Sequence, residues 1–165
     1  MLTTRSRRTL SVDSAEATLR TLGLKLPDPP KALASYVPVQ QVGELLYTSG
    51  VLPSWNGEVQ FHGVVGGDVS LKDASRAAEI CALNIMALIR QHAGSLDQVE
   101  QFIQLSGFVR SAAGFEEQPK VLNGASDLIF KVFGERGRHT RQALGTSELP
   151  LGVPVEISAI IRLKG

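Results

Sequence analysis

The sequence has little of what marks several large classes of protein. It holds a single cysteine among 165 residues, so no disulfide can form within the chain. Its longest apolar run is rich in alanine and is interrupted by Asn84, well short of the roughly 18 to 20 residues that a membrane-spanning helix needs. Seventeen Lys and Arg against 16 Asp and Glu leave a net charge of +1, which provides no overall attraction for nucleic acid or anionic lipid. We therefore expect neither a membrane nor a nucleic acid as partner.

Motifs for metal and nucleotide chemistry are missing as well. His62, His92 and His139 lie in separate segments, and no cysteine or carboxylate cluster stands near any of them at the spacing of metal ligands. The glycine-rich run 63–68 lacks the Lys-Ser/Thr pair of a phosphate-binding P-loop, and no G-x-S-x-G nucleophile motif is present. The sequence thus predicts no metal site.

What is present fits one domain with a real core, since 43% of the residues are hydrophobic. Cys81 stands among alanine, leucine and isoleucine, which predicts a buried core thiol and fits a reducing compartment such as the cytoplasm. Residues 1–11 carry three arginines and no acid, so organelle targeting stays open, but we interpret them as a flexible tail. We divide the chain into residues 1–33, a tail with a short helix and a Pro-rich linker, and a domain over 34–165.

Local patterns predict the elements of that domain. Two short β-branched and aromatic runs around Gly43 indicate a hairpin, and Asn56-Gly57 indicates a turn. Ser70 followed by Asp73 matches the capping signal of a long helix that ends near His92. A strand over 99–109, a helix over 119–133 and two final strands complete the order β-β-α-β-α-β-β. This pattern is typical of an α+β fold with two helices on one face of the sheet.

Arg141 and Glu156 are the candidate functional pair. They lie 15 residues apart on either side of a Pro/Gly turn near residues 149–152, so antiparallel pairing of their strands would bring them close together. A guanidinium binds a carboxylate through two contacts, and a glutamate beside it would keep an ordinary or lowered pKa and could hold a water molecule. The other interpretation of the same pattern is an ordinary ion pair across two surface strands.

A series of motifs resembles the RidA (YjgF, reactive-intermediate deaminase) family. They run in order over about residues 34–163: Tyr36-Val-Pro-Val-Gln, Leu46-Tyr-Thr-Ser-Gly-Val-Leu-Pro, the capped helix with Asn84, Asn123-Gly-Ala-Ser-Asp, and the arginine and glutamate of the last two strands. The resemblance implies a chorismate-mutase-like subunit with a mixed sheet, and a homotrimer with a central β-barrel and three clefts between subunits. It also implies hydrolysis of enamine and imine intermediates, such as 2-aminoacrylate, to a 2-oxo acid and ammonia without a cofactor.

The resemblance also assigns roles to residues. Arg141 matches the arginine that binds the substrate carboxylate, and Glu156 matches the glutamate that positions the attacking water. Tyr36, Ser49 and Asn123 match further ligand-binding positions. Without the resemblance, Tyr36 would be interpreted as a core aromatic, Ser49 as a turn residue and Asn123 as a helix N-cap.

The sequence departs from the family pattern around Arg141. His139-Thr140 precedes the arginine, and Gln142-Ala143 replaces the family's Ser-Cys, so only the backbone amide of Ala143 can take the cysteine's place. His139 adds a titrating group to the cleft or lies on the surface. Two other functions therefore stay open, namely non-catalytic binding of a small carboxylate as a sensor, and the endoribonuclease activity often ascribed to the family. The near-neutral charge counts against the latter.

Overall fold

The computed structural model describes residues 14–165, and the predicted basic tail lies outside the described residues. Within this range the chain forms three α-helices and seven β-strands, joined by short 3-10 turns. The helices are α1 (Ala15–Thr21), α2 (Leu71–Ala93) and α3 (Gln118–Phe133). The strands are β1 (Val39–Val42), β2 (Leu45–Thr48), β3 (Ser54–Trp55), β4 (Glu58–Val59), β5 (Val99–Arg110), β6 (Thr140–Thr146) and β7 (Val155–Leu163).

The long helix α2 begins and ends where its capping residues predict. The Ser70 hydroxyl oxygen accepts the backbone N–H of Asp73 at 3.0 Å, and Gly94 closes the helix in the left-handed conformation at φ 84°. Its alanine-rich face is buried and includes Cys81, whose thiol pKa is raised by burial. The predictions of a capped helix and of a core cysteine are confirmed.

Five strands form one mixed sheet in the order β1-β2-β7-β5-β6, while β3 and β4 form a separate small hairpin around the predicted Asn56-Gly57 turn. The long strand β5 pairs with β6 in parallel and with β7 antiparallel. Alternate residues of β7 from Val155 to Ile161 are buried, as are most of the β5 residues that face the helices. Helices α2 and α3 cover this face, which confirms the predicted α+β architecture.

The strands that carry Arg141 and Glu156 do not pair with each other. Strand β5 lies between them, so the hairpin predicted from the Pro/Gly turn is wrong. Strand β6 is polar and only partly buried, which suits the edge of the sheet, whereas the apolar β7 needs a central position with neighbours on both sides. The turn itself exists, with a 3-10 segment at Pro150–Gly152, but it carries the chain across β5.

The N-terminal helix α1 packs onto the domain. Arg90 of α2 forms a two-point ion pair with Glu16, with nitrogen to oxygen distances of 2.6 and 3.0 Å. Ser14 donates a hydrogen bond to the Asp97 carboxylate, and Ala15 and Leu19 are buried. The division of the chain after residue 33 stays a prediction.

The face of the sheet away from the helices exposes several apolar side chains, among them Tyr47, Phe108 and Leu144. These residues lie beside Ser106, Ser158 and Gln142 on the same face, as the strand register requires. We call this surface the open face. None of the helices within residues 14–165 is long and apolar enough to cross a membrane.

Candidate functional site

Arg141 lies on the edge strand β6, and its guanidinium is held against helix α3. One terminal nitrogen, Nη1, donates to Asn123 Oδ1 at 2.9 Å and to Ser126 Oγ at 3.1 Å. The other, Nη2, donates to the Pro119 carbonyl at 3.3 Å. A guanidinium has five N–H donors, so these contacts leave Nε–H and one Nη2–H without a partner among the described residues. The side chain is therefore fixed in place and can still bind an anion.

His139 supports the Arg141 guanidinium indirectly, through a hydrogen bond to Ser126. Its Nδ1 lies 2.6 Å from the Gly137 carbonyl oxygen, which can only accept, so Nδ1 carries the ring proton. Nε2 is then the acceptor for the Ser126 hydroxyl at 2.9 Å. Burial and the charge of Arg141 lower the pKa of His139, although its bond to Gly137 acts in the opposite direction. The histidine is half-buried and lines a cavity of about 410 Å³ that Arg141 also lines.

Glu156 lies in a different cavity. Its carboxylate is half-buried and forms no hydrogen bond or ion pair with any residue of the described chain, and burial raises its pKa. The absence of a side chain at Gly50 makes room for the Glu156 carboxylate, since a Cβ at position 50 would lie 2.1 Å from Glu156 Oε1. The surrounding cavity, of about 460 Å³, is also lined by Tyr36 and Ser49.

Tyr36 is exposed and Ser49 is partly buried, and local hydrogen bonds hold both side chains. The Tyr36 hydroxyl oxygen accepts the backbone N–H of Leu33 at 3.2 Å, and the Ser49 hydroxyl donates to the Val37 carbonyl at 2.7 Å. Tyr36 precedes β1 and is 46% exposed, so it is not a core aromatic. The hydrogen bond from Ser49 to the Val37 carbonyl agrees with its interpretation as a turn residue. Ser49 also lines the Glu156 cavity.

Most of the predicted residues, together with Ser126 and Gly50, thus form two groups, which we call half-sites. The arginine half-site comprises Asn123, Ser126, His139 and Arg141. The acid half-site comprises Tyr36, Ser49, Gly50 and Glu156.

The two half-sites lie on opposite faces of the sheet. Arg141 is in register with the buried Leu105 and contacts α3, whereas Glu156 is in register with Phe108 on the open face. Strands β6 and β7 are separated by β5, which puts them about 10 Å apart across the sheet. Along β5, the residues paired with Arg141 and Glu156 are three positions apart, which adds about 10 Å along the strand. One small ligand cannot contact both residues of the same chain.

This placement corrects three expectations from the sequence. Arg141 and Glu156 form neither a shared pocket within one chain nor a surface ion pair. The pKa of Glu156 is raised rather than ordinary or lowered, because burial acts on it and no cation in the described part of the chain offsets that effect. Asn123 is not an N-cap, since it lies inside α3, where its side chain accepts from Arg141. Ala143 lies on β6 on the same face as Arg141, packed against the core, and the role of its amide stays a prediction.

Ser126 and Gly50 were missed by the sequence analysis. The spacing of Asn123 and Ser126, three residues apart on one helix, puts both on the same face of α3 and could have indicated a shared partner. Gly50 carries no such signal, since only the folded chain brings the Glu156 side chain against it. Within residues 14–165 no group of three or more histidine, cysteine or acidic side chains is placed to hold a metal ion.

Comparisons with known proteins agree with the fold. The family model described as "YjgF/chorismate mutase-like, putative endoribonuclease" matches residues 16–159. Protein TCP17 of Trypanosoma cruzi is 39% identical over 148 residues, which cover 89% of this chain and 92% of that protein. The crystal structure of Atu1372 from Agrobacterium tumefaciens, a protein of unknown function, is 45% identical with a TM-score of 0.84, covering 93% of this chain and 96% of that one. A Shewanella oneidensis structure with the same endoribonuclease description is 33% identical with a TM-score of 0.88, covering 92% and 100%.

Proposed function

The chain belongs to the YjgF/chorismate mutase-like family, and from this premise we propose that it hydrolyses reactive 2-imino acids to 2-oxo acids and ammonia. The observation that carries the proposal is the half-buried Glu156 carboxylate, which has a raised pKa and no partner within residues 14–165, at a cavity large enough for a small ligand. A carboxylate in this state is a suitable base for water. The activity itself is the one implied by the chain's resemblance to reactive-intermediate deaminases.

The reaction needs one anion site and one base. The two remaining N–H groups of Arg141 bind the carboxylate of the imino acid. Glu156 accepts a proton from water as the water oxygen bonds to the imine carbon, and the electrons of the carbon–nitrogen double bond move to nitrogen. Glu156 passes that proton to the nitrogen, which gives a tetrahedral intermediate with a hydroxyl and an amino group on the same carbon. The hydroxyl proton then moves through Glu156 to the amino nitrogen, the carbon–nitrogen bond breaks, and ammonia leaves as the carbonyl forms. No electrons are gained or lost, so the step needs no redox cofactor.

A second copy of the chain would complete the site. Because the two half-sites of one chain lie on opposite faces of the sheet, we propose that Arg141 of one copy meets Glu156 of the next in a homotrimer. The apolar open face, with Tyr47, Phe108 and Leu144, suits burial against other copies in a central barrel. A sedimentation or sizing measurement at three times 17.7 kDa would test this assembly.

Mixed oligomers test the function and the shared site together. Arg141→Ala and Glu156→Gln are each expected to abolish the acceleration of 2-iminopropanoate hydrolysis. When the two variants are co-expressed at equal amounts, a site that takes one residue from each copy is intact in about one case in four, so about a quarter of the wild-type rate returns. Arg20→Ala, at an exposed arginine of α1 away from the open face and both half-sites, is the matched control and keeps full activity.

The outcomes separate the alternatives. Active wild-type protein with no recovery in the mixture would refute the shared site. If no imine is hydrolysed faster but 2-oxo acids bind in a saturable, Arg141-dependent way, the chain is a non-catalytic binder. The family description names an endoribonuclease, which would show RNA cleavage that falls steeply with added salt.

A further inference from the structure

A second cavity adjoins the acid half-site. It has a volume of about 320 Å³ and shares Leu33, Tyr36, Gly50 and Leu52 with the lining of the Glu156 cavity. This volume lies within the range of small-molecule pockets, which is about 300 to 1,000 Å³. Leu33 and Tyr36 are exposed and line both spaces, so a ligand bound at Glu156 would have this second cavity beside it. We call it the side chamber.

The walls of the side chamber are mainly apolar. They come from the Pro-rich segment, including Pro29 and Pro30, and from Val51, Leu52 and Val59 of the sheet region. Asp28 and Lys31 also contribute to the lining, but both residues are exposed, so their charges stay in contact with water. An apolar group gains free energy on entering such a space, whereas a charged group would lose its hydration.

Specific hydrogen bonds hold these walls together. The backbone N–H of Asp28 donates to Asn56 Oδ1 at 2.9 Å, which fastens the Pro-rich segment to the β3–β4 turn. Asn84 of α2 donates through Nδ2 to the carbonyl of Ser54, another lining residue, at 2.6 Å. Asn56 holds a left-handed conformation at φ 50°, one that asparagine and glycine tolerate best. The chamber is therefore a built feature of the fold.

We propose that the side chamber receives the side chain of the imino acid, so that the protein selects 2-imino acids with branched or aromatic apolar side chains over 2-iminopropanoate. The inference rests on the proposed function, because it assumes that the reacting carbon lies at Glu156. With that carbon and its carboxylate fixed at the cleft, the adjoining apolar space can take the substituent.

The expected size of the preference follows from the extra apolar groups. A single methylene in a shaped pocket changes kcat/KM by about 10-fold or more, so the imine derived from leucine should exceed 2-iminopropanoate by at least about that factor. Both imines can be generated in place by an amino-acid oxidase and their decay followed with and without the protein. The ratio of the two kcat/KM values is the quantity of interest, because it cancels differences in the amount of active protein.

Two variants test the chamber itself. Val59→Phe fills the space, and it should lower the ratio at least about tenfold while leaving the 2-iminopropanoate rate within about a factor of two. Asn56→Gly keeps the left-handed backbone but removes the acceptor for Asp28, so the wall loosens and the ratio should fall toward one. Leu22→Phe, at a leucine that is 45% exposed at the end of α1 and far from the open face, is the matched control and should leave the ratio unchanged.

The failure of this inference is distinguishable from failure of the proposed function. If 2-iminopropanoate is hydrolysed but the leucine-derived imine has no advantage, or Val59→Phe slows both equally, the side chamber is not the side-chain site and the deaminase proposal stands. If the protein accelerates hydrolysis of no imine, the deaminase proposal fails. Calorimetry with pyruvate and 4-methyl-2-oxopentanoate then tests whether the side chamber binds an apolar side chain. At least about tenfold tighter binding of the larger acid, lost in Val59→Phe, supports it. Equal binding or none overturns it.

Discussion

Replacing Gly50 by alanine should remove most of the activity while leaving the fold intact. The new Cβ would lie 2.1 Å from Glu156 Oε1 and 2.8 Å from Glu156 Cδ. Carbon and oxygen that are not bonded approach to about 3.3 Å, so the carboxylate oxygen must move by more than about 1 Å. A displacement of that size in a catalytic group costs about 100-fold in rate. We therefore expect kcat/KM for imine hydrolysis to fall by roughly two orders of magnitude.

The stability of the Gly50→Ala variant should change little. The atoms that alanine would meet are the far end of a flexible glutamate side chain, so relief requires only a rotamer change, at about 0.5 to 1.5 kcal/mol. Alanine also restricts the unfolded chain, which returns about 0.4 to 1 kcal/mol where the backbone conformation is compatible. Thermal and denaturant unfolding should therefore show a net change within about 1 kcal/mol.

A double-mutant cycle links the loss of activity to Glu156. In a Glu156→Gln background no carboxylate remains to be displaced, so adding Gly50→Ala should reduce kcat/KM no further. Wild-type activity in Gly50→Ala would refute the reasoning. So would a loss that persists in full in the Glu156→Gln background, because the alanine would then act on something other than the carboxylate.

Two further predictions concern stability. Burial raises the folded pKa of Glu156, so this group favours folding below the ordinary carboxyl pKa near pH 4, and that contribution is lost as pH rises through the folded pKa. At pH 7 to 8, calorimetry should therefore show a higher melting temperature for Glu156→Gln than for the wild type. The difference should vanish near pH 4, and equal melting temperatures at both pH values would contradict this prediction. Gly124→Ala places a Cβ 2.1 Å from the Ser75 backbone oxygen, so α2 and α3 must separate, and denaturant titration should show a loss of about 1 to 3 kcal/mol or more. An unchanged free energy of unfolding would contradict this prediction, because it would mean that α2 and α3 can move apart without loss of packing.

Local patterns predicted the elements well where their physical causes are local. The cap at Ser70, the stop at Gly94 and the turn at Asn56-Gly57 depend on residues within a few positions of one another, and all three are found. The mixed sheet with two helices on one face followed from the order of the elements and from the family resemblance. The polar character of β6 and the apolar character of β7 also pointed to an edge and a central strand, although the sequence analysis did not use that difference.

The candidate site was predicted in its residues but not in its geometry. The resemblance named Arg141 and Glu156, whose roles stay predictions, while the assumed hairpin placed them together. Strand pairing is a long-range choice, since residues 104–110 of β5 must insert between strands that are close in sequence. The 15-residue separation of the pair is equally compatible with adjacent strands and with strands on either side of β5.

By itself the amino-acid sequence determined the class of fold, the ends of the main helix, the buried cysteine and the identity of the charged pair. These depend on composition, on side-chain period and on contacts between near neighbours in the chain. Only the tertiary structure decided that Arg141 and Glu156 lie on opposite faces of one sheet. It also decided that Ser126 and His139 support Arg141, and that Gly50 makes room for Glu156. Such facts arise because a β-strand sends alternate side chains to opposite faces, and the strand order that fixes those faces is set by packing of the whole chain.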